Sequence, residues 1–323
     1  MKKVLANELK RSDRIVFDKS LEDGINPENL QLLKKYHRDM EMRELSVNSV
    51  YSYERDLLQW MTYLNKEQFN PNVKIVTEED IEEFIYFCKQ QGNNTERVKR
   101  RTASISAFYK FLRRKKEIKE NPCEFISRPK KGLPVTVQTF LTPKQYELMK
   151  LKLSEQSNIQ LQVYGIFSVD TMARVTACSS IRWEQIDFDE YIVNEVLEKE
   201  GYIVTLYFNE ETKDLLLKLK QHREENEIDD KGYVFITKND GEYGQTSTNA
   251  MSNWAKKIGE LIGVPTLHCH DFRHSGSQLR KLAGMDLETI SGLLNHSGLD
   301  VTKKFYLRED KKQIREKMAQ YKI

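Results

Sequence analysis

The chain has 323 residues, of which 39% are hydrophobic and 31% are charged, and its formal net charge is +3. This composition is typical of a globular protein, and the length predicts two domains that each bury a core of their own. No apolar run is long enough to span a bilayer, and no apolar segment follows the basic N-terminus. We therefore expect a cytoplasmic protein with no signal peptide and no membrane partner.

The cysteines show no spacing typical of a disulfide framework, which fits a reducing compartment. They are Cys88, Cys123, Cys178 and Cys269. A cluster of three histidines and a cysteine, HCHDFRH, runs from His268 to His274. A zinc site would need a second ligand pair at a recognisable spacing, and the sequence has none. We therefore expect no bound metal.

The first third of the chain predicts helices. Residues 26–65 contain two apolar series at spacings of three and four, the pattern of two amphipathic helices, with Ser46 or Asn48 capping the second. Thr77 followed by Asp80 is a capping-box pattern that opens a third helix. With a fourth helix after it, this part of the chain predicts a compact four-helix domain.

The fourth helix, predicted over about residues 95–116, carries a stripe of positive charge. It contains nine Lys or Arg residues and, from Arg97 to Lys116, no Asp or Glu. On a nearly balanced chain such a stripe is typical of a nucleic-acid-binding surface, although charge alone equally fits a solvated helix face. The candidate DNA contacts are Arg97, Lys99, Arg100, Arg101, Arg113 and Arg114.

A stretch without helical pattern follows at residues 127–139. Two prolines, a glycine and three basic residues here are typical of an inter-domain linker. Its charge would let it lie along a phosphate backbone, so Lys130 and Lys131 are further candidate DNA contacts.

The second half of the chain predicts a mixture of helices and a small sheet. YIVNEVLEKEGYIVTLYF, residues 191–208, indicates two strands joined by a tight turn at Lys199, Glu200 and Gly201. Helical patterns cover residues 142–156, 160–171, 210–226, 247–262 and the chain after Asp271. The fold class predicted for the molecule is therefore mainly α with a small β-sheet (α+β).

Five polar residues of this half could converge on a phosphate group: Arg174, Lys199, His270, Arg273 and His296. Arginine forks bind non-bridging phosphate oxygens in bidentate fashion, and lysine or histidine can donate a proton to a leaving oxygen. Taken singly, each of the five also fits an ordinary role, such as a surface arginine, a hairpin lysine or a core histidine.

Their order along the chain resembles that of the tyrosine recombinases, the phage integrase family. The matching segments are VDTMARVTACSSIRWEQID, LEKEGYIVTLYF, LHCHDFRHSGSQLRKLAGMDLETISGLLNHSG and NHSGLDVTKKFYLRED. LSVNSVYSYERDL and TASISAFYKFLRRKKEIKENPCEFI are similar to the family's helical core-binding domain. The resemblance implies an N-terminal extension (1–24), a core-binding domain (25–126), a linker (127–139) and a catalytic-type domain (140–323).

The resemblance also implies a chemistry. Members form a clamp around duplex DNA, and a tyrosine attacks the scissile phosphate to give a 3′-phosphotyrosyl link without metal or nucleotide, so no cofactor is expected. Arg174, His270, Arg273 and His296 would stabilise the phosphorane-like state, and Lys199 would protonate the leaving 5′-oxygen.

Three positions depart from the family pattern. Ala177 stands where members usually have a buttressing acid, and Asn295 replaces the usual glycine before the last histidine. The nucleophile normally lies nine residues after that histidine, where this chain has Phe305, and Tyr306 is the next residue. Neighbouring helical residues point about 100° apart, so Tyr306 reaches the phosphate only if the preceding turn has one extra residue and the helix is rotated.

Three hypotheses remain open from the sequence. The leading one is a sequence-specific double-stranded DNA-binding protein, such as a repressor of a temperate phage or mobile element, that lacks recombinase activity. The second is an active recombinase that uses Tyr306, or one in which Phe305 is an engineered replacement of tyrosine. The third is an accessory protein that binds other recombinases. The expected partners are duplex DNA, and a second copy of the chain or another phage regulator.

Overall fold

The computed structural model describes residues 23–127, 140–198 and 201–295, together with the isolated helical positions 315 and 319. The chain divides into two compact units, residues 1–136 and 137–323. The boundary between them falls within the predicted linker, of which residues 128–139 lie outside the described ranges.

The N-terminal unit contains the four predicted helices, and each begins at a polar side chain that accepts a backbone N–H of the first turn. The capping residues are Asn26, Ser46, Thr77 and Asn94, and Thr77 forms the predicted capping box with Asp80. The helices are α1 (Pro27–Met42), α2 (Val47–Glu67), α3 (Glu78–Gln90) and α4 (Thr95–Arg114). The four-helix prediction is confirmed.

Aromatic side chains dominate the core of this unit. Tyr36 of α1 meets Phe108 of α4 with ring centroids 5.4 Å apart, and Trp60 of α2 meets Tyr109 at 5.7 Å, both edge to face. The Tyr109 hydroxyl donates to the Val73 carbonyl oxygen at 2.8 Å, so its one polar atom is satisfied inside the core. These contacts bury one face of α4 and leave the opposite face to solvent.

The C-terminal unit packs helices around two small antiparallel sheets. Its helices are α5 (Pro143–Ser154), α6 (Ile159–Thr171), α7 (Val175–Ser180), α8 (Glu210–Glu225), α9 (Thr248–Leu261), α10 (Cys269–Leu282) and α11 (Leu287–Leu293). Its strands are β1 (Ile186–Asp187), β2 (Ile192–Leu197), β3 (Ile203–Tyr207), β4 (Ile236–Asn239) and β5 (Glu242–Gln245). The strand order of the first sheet is β1-β2-β3, and β4 pairs with β5. A mainly helical fold with small sheets is thus confirmed.

The β4–β5 hairpin was not among the sequence predictions, although its signal is present. Asp240 and Gly241 form the two-residue turn, and both have positive φ, at 48° and 90°. An Asp-Gly pair in this conformation is the preferred connection of a tight β-hairpin. The flanking strands are only four residues long. Such short strands show too little alternation to stand out in the sequence.

Helix α6 is the centre of the C-terminal unit, and its segment from Val163 to Thr171 is buried throughout. It packs against α5, α8 and α10. Because it is surrounded by protein, its sequence is apolar on every side rather than amphipathic. Among the described residues, no helix is both long and apolar enough to cross a membrane.

Candidate functional site

Arg174 lies at the junction that follows α6. The helix ends at Met172, which has a left-handed φ of 53°, and Arg174 is the N-cap residue of α7. Its side chain is 30% exposed and forms an ion pair with Glu198, whose side chain is only 3% exposed. Glu198 directly follows β2, and its backbone N–H donates to the Tyr202 carbonyl at 2.8 Å across the hairpin. The hairpin and the α6–α7 junction therefore meet at Arg174.

Helix α10 supplies the other described candidates. The side chain of Asp271 accepts the His268 N–H at 3.0 Å and caps the helix, which places His270 and Arg273 one turn apart near its start. Arg273 is 1% exposed. Its Nη1 donates to the Met172 carbonyl at 2.7 Å, and its Nη2 donates to the Leu294 carbonyl. The predicted placement of His270 and Arg273 on one helical face is confirmed.

These two hydrogen bonds show what Arg273 does in the fold. Met172 lies two residues before Arg174, and Leu294, at the C-terminal end of α11, lies two residues before His296. A buried guanidinium requires such acceptors, because an arginine side chain keeps its charge inside the protein. Arg273 thus ties together the segments that lead into two other candidate residues.

The His270 ring lies between positive groups. Partial burial of the ring, followed by Arg273, His268 and Arg174, lowers the pKa of His270 to about 4. Its ring also meets that of His274 edge to face, with centroids 4.6 Å apart. A histidine with this pKa is neutral near pH 7, and it is held in a place that favours an anion.

Of the five candidate phosphate ligands, the structure describes Arg174, His270 and Arg273, and it brings these three together. Lys199 and His296 lie outside the described residues. The same holds for the two candidate nucleophile positions, Phe305 and Tyr306, and for the linker residues Lys130 and Lys131. Among the residues that are described, no group of three or more His, Cys, Asp or Glu is placed to hold a metal ion.

Acidic residues elsewhere in the sequence pair with four of the nine basic residues of the α4 stripe. Arg100 pairs with Asp56 of α2 at 2.7 Å, Arg113 pairs with Glu124 at 3.1 Å, and Arg114 pairs with Asp39 of α1. Lys99 pairs with Glu96, one turn before it, at 3.2 Å. These acids all lie outside the 97–116 window, which is why the stripe looked unopposed in the sequence.

Arg97 and Arg101 differ from the other candidates of α4. Arg97 is exposed and has no acidic partner within the described part of the chain. Partial burial, followed by the neighbouring guanidinium groups of Arg101 and Arg100, lowers its pKa. Arg101 is buried at 8% exposure, and its Nη1 donates to the Cys88 sulfur at 3.2 Å. Arg101 therefore supports the α3–α4 packing in this structure, whereas Arg97 is open to a ligand.

Two residues were not among the candidate site residues of the sequence. Lys110 is exposed and, with Arg113 and Arg114, lines a cleft of about 490 Å³ on the C-terminal half of α4. Glu198 belongs to the charged segment Glu-Lys-Glu before Gly201, and a glutamate there is an ordinary residue for a surface turn. Only its burial against Arg174 distinguishes it, and no local sequence signal reports that burial.

Comparison with known families agrees with this architecture. The sequence profile of the phage integrase family matches residues 139–313, more than half of the chain. The chain belongs to the phage integrase family. A second profile, that of the family's N-terminal SAM-like domain, matches residues 33–116. The tyrosine recombinase resemblance seen in the sequence is thus confirmed.

Curated relatives of this integrase-family chain carry recombinase names. A tyrosine recombinase XerC of Listeria welshimeri is 25% identical over 285 residues, which cover 84% of this chain and 90% of the relative. The tyrosine recombinase XerC of Bacillus subtilis is 24% identical over 302 residues, covering 89% and 91% of the two chains.

Solved structures share the fold at lower identity. The Tn1549 transposon integrase in complex with circular intermediate DNA has a TM-score of 0.68 at 16% identity, covering 89% of this chain and 98% of that one. A lambda integrase dimer bound to a COC′ core site has a TM-score of 0.64 at 14% identity, covering 83% and 74%. At these identities the likeness shows the fold alone.

Proposed function

We propose that this integrase-family chain binds double-stranded DNA through its phosphates, with Arg174, His270 and Arg273 directed at a single phosphate group. The observation that carries the proposal is the meeting of two segments: Arg273 donates to the Met172 carbonyl, two residues before Arg174, and His270 lies one turn before Arg273 on α10. Two guanidinium groups beside a neutral imidazole form a binding site for the oxygen atoms of a phosphate group. Lys199 and His296, as the family pattern implies, complete the set.

The N-terminal unit would supply contacts that position the protein without reading bases. Arg97 and Lys110 are the exposed cations of α4 that have no acidic partner within the described ranges. Contacts of this kind fix register and supply affinity, whereas base edges supply specificity. The relatives with this fold, the Tn1549 and lambda integrases, are seen bound to DNA, which supports the same partner here.

Within this function, a regulator without strand-transfer activity is the form that the sequence favours. Counting nine residues from His296 reaches Phe305, and a phenyl ring has no oxygen with which to attack a phosphate. A chain that keeps phosphate ligands but lacks the nucleophile can still occupy an operator. We place it as a repressor in a phage or mobile element, acting as a dimer or with another regulator.

An active recombinase is the second candidate, and the curated relatives favour it, since they are named as tyrosine recombinases. It requires Tyr306 to take the place of Phe305, with one extra residue accommodated in the turn before it.

A covalent-trapping experiment separates the two candidates. A DNA site is first selected from a random pool, and a nicked suicide duplex of that site is then incubated with the protein and denatured. We expect no protein–DNA adduct, because the nucleophile position holds phenylalanine. In the variant Phe305→Tyr we expect an adduct, since the phosphate ligands are retained, and its loss in the double variant F305Y/R174A.

The controls decide the outcome. An adduct formed by the unaltered protein and absent in Tyr306→Phe would contradict the regulator and establish the recombinase. If the chain binds no duplex at low salt, neither form of the proposed function survives.

A further inference from the structure

We propose that Glu198 is the positioning residue for Arg174, a role in which the β2–β3 hairpin supplies the carboxylate that position 177 lacks. The proposal rests on the proposed function, in which Arg174 binds a DNA phosphate.

The usual position for a supporting acid is occupied by a methyl group. Ala177 lies on α7, three residues or about one helical turn after Arg174, and is completely buried among apolar side chains. It therefore gives Arg174 neither a charge nor a hydrogen-bond acceptor. The arginine side chain has several rotatable bonds. If no other group holds it in place, it loses conformational entropy when it binds a ligand, and this loss lowers the affinity.

The hairpin fills this role from the other side. Strand β2 packs against α7, and Glu198, the residue after β2, places Oε2 against Nη1 of Arg174. The backbone of Glu198 is fixed by its N–H donation to Tyr202 at 2.8 Å. Among the described residues, Arg174 is the ion-pair partner of this carboxylate, and none of them donates a hydrogen bond to its second oxygen, Oε1, which is buried. The carboxylate of Glu198 is therefore placed to hold the guanidinium of Arg174.

Burial shows that Glu198 supports Arg174 rather than competing with a phosphate for it. The carboxylate is 3% exposed and the guanidinium 30% exposed, so the acid lies on the protein side and the solvent side is left for a ligand. A phosphate arriving from solvent cannot displace a carboxylate beneath the guanidinium without leaving a buried charge unpaired, which is strongly unfavourable.

This arrangement also links the hairpin to the site. Lys199 is the residue next to Glu198. A carboxylate anchored on Arg174 therefore fixes the last described residue before the candidate proton donor in the sequence. The ion pair would orient one phosphate ligand directly and restrict the backbone that leads to another.

The sign of a charge-removing substitution tests the proposal. Simple electrostatics predicts that loss of an acid near a DNA site strengthens binding, and competition for Arg174 predicts the same. Positioning predicts the opposite. The probe is a fluorescent mixed-sequence duplex of about 40 base pairs at low salt, where phosphate contacts dominate the affinity.

We expect Glu198→Ala to weaken binding about tenfold, the effect of losing an oriented charge-assisted contact. Glu198→Gln retains an acceptor of the same shape and should recover part of that loss, with binding about threefold weaker than that of the unaltered protein. The matched control is Glu195→Ala, which removes an exposed acid from the same strand, β2, and should leave affinity unchanged or slightly tighter.

A double-mutant cycle with Arg174→Ala distinguishes positioning from a general structural role. If Glu198 acts through Arg174, then Glu198→Ala has no further effect on affinity once Arg174 is removed. Melting temperatures identify variants that fail to fold, and Glu198→Gln then carries the cycle in place of Glu198→Ala.

Each remaining result overturns the proposal. Tighter or unchanged binding by both Glu198 variants excludes positioning, and so does an equal loss with and without Arg174. If the unaltered protein binds no duplex, the proposed function fails and this inference fails with it. Normal binding by the unaltered protein together with unaffected Glu198 variants refutes this inference alone.

Discussion

At the scale of single residues, the proposed contact of His270 with a phosphate predicts that DNA binding is sensitive to pH. In the free protein this pKa is lowered to about 4, below the ordinary value of 6.5. A bound phosphate brings negative charge to the ring and raises the pKa, so binding takes up a proton. Affinity for duplex DNA should therefore increase as pH falls through the pKa of the bound state and decline as pH rises above it.

The measurement is affinity for a fixed duplex between about pH 5.5 and 7.5, in the range where histidine changes charge. His270→Gln should flatten the dependence, and His222→Gln, on α8, should not. Equal slopes in the unaltered protein and in His270→Gln would contradict the assignment of His270 to the phosphate site.

The lowered pKa of His270 affects folding stability in the opposite direction: stability falls as the pH falls. Between about pH 4 and 6.5 the unfolded chain binds more protons at His270 than the folded chain does. The contribution of this group to stability is thus fully present above that range and is lost as pH falls through it. Binding must therefore be measured where the melting temperature shows that the protein stays folded.

At the scale of elements, the close contact of α6 and α10 positions the site. A Cβ atom on Gly276 would lie 2.1 Å from the Val169 carbonyl oxygen and 2.7 Å from the Met172 side chain. Only glycine allows the two helices to approach this closely. The contact sets the distance between α10, which carries His270 and Arg273, and the end of α6, which leads to Arg174.

Gly276→Ala should separate the two helices, because the methyl group meets backbone rather than a flexible side chain. Overpacking of this kind costs about 1–3 kcal/mol of stability or more. We expect a lower melting temperature. We also expect DNA affinity to fall by more than the decrease in the folded fraction explains.

Gly292→Ala is the matched control, since a Cβ at this position in α11 meets no atom of the described residues within 4 Å. It should leave DNA binding intact and stabilise its helix by up to about 1 kcal/mol. If Gly276→Ala melts and binds like the unaltered protein, α6 and α10 are not held at this contact.

A buried ion pair adds to the same junction. Asp170 near the end of α6 accepts from Arg280 of α10 at 2.8 Å, and its other oxygen accepts from the Asn209 N–H and the Thr212 hydroxyl, each at 2.7 Å. One carboxylate thus joins α6, α8 and α10 with its lone pairs satisfied. Such satisfaction is what makes a buried charge tolerable.

At the scale of the whole molecule, affinity for DNA depends more on where the charges lie than on the net charge. A chain with a net charge of +3 binds DNA through local patches, and each phosphate contact releases counterions. The logarithm of the affinity should therefore fall linearly with the logarithm of salt concentration, with a slope of about −0.9 for each phosphate contacted.

The double variant Arg97→Ala/Lys110→Ala should reduce the magnitude of this slope by about 2, one contact for each residue, and weaken binding to all duplexes alike. The charge-matched control is Lys66→Ala/Lys89→Ala, which removes two exposed cations from α2 and α3 of the same unit. Equal changes in slope for the two pairs would show that α4 has no special role, and a loss confined to one duplex would indicate base recognition instead.

Local patterns in the sequence determined much of this protein. Apolar spacing and capping side chains such as Thr77 lie within a few residues of each other, so helices α1 to α4 could be predicted from the sequence alone. The order of Arg174, His270 and Arg273 along the chain likewise indicated the family. These features depend on neighbouring residues or on the order of motifs along the chain, and both can be read from a linear sequence.

The tertiary structure decided which charges remain available to a ligand. Arg100 meets Asp56 and Arg114 meets Asp39 on other helices, whereas Arg174 meets a buried Glu198 and stays 30% exposed itself. Arg101, identical to its neighbour in the sequence, is buried against Cys88. Ion pairing and burial depend on which distant segments pack together, and that packing arises only when the helices assemble around a common core.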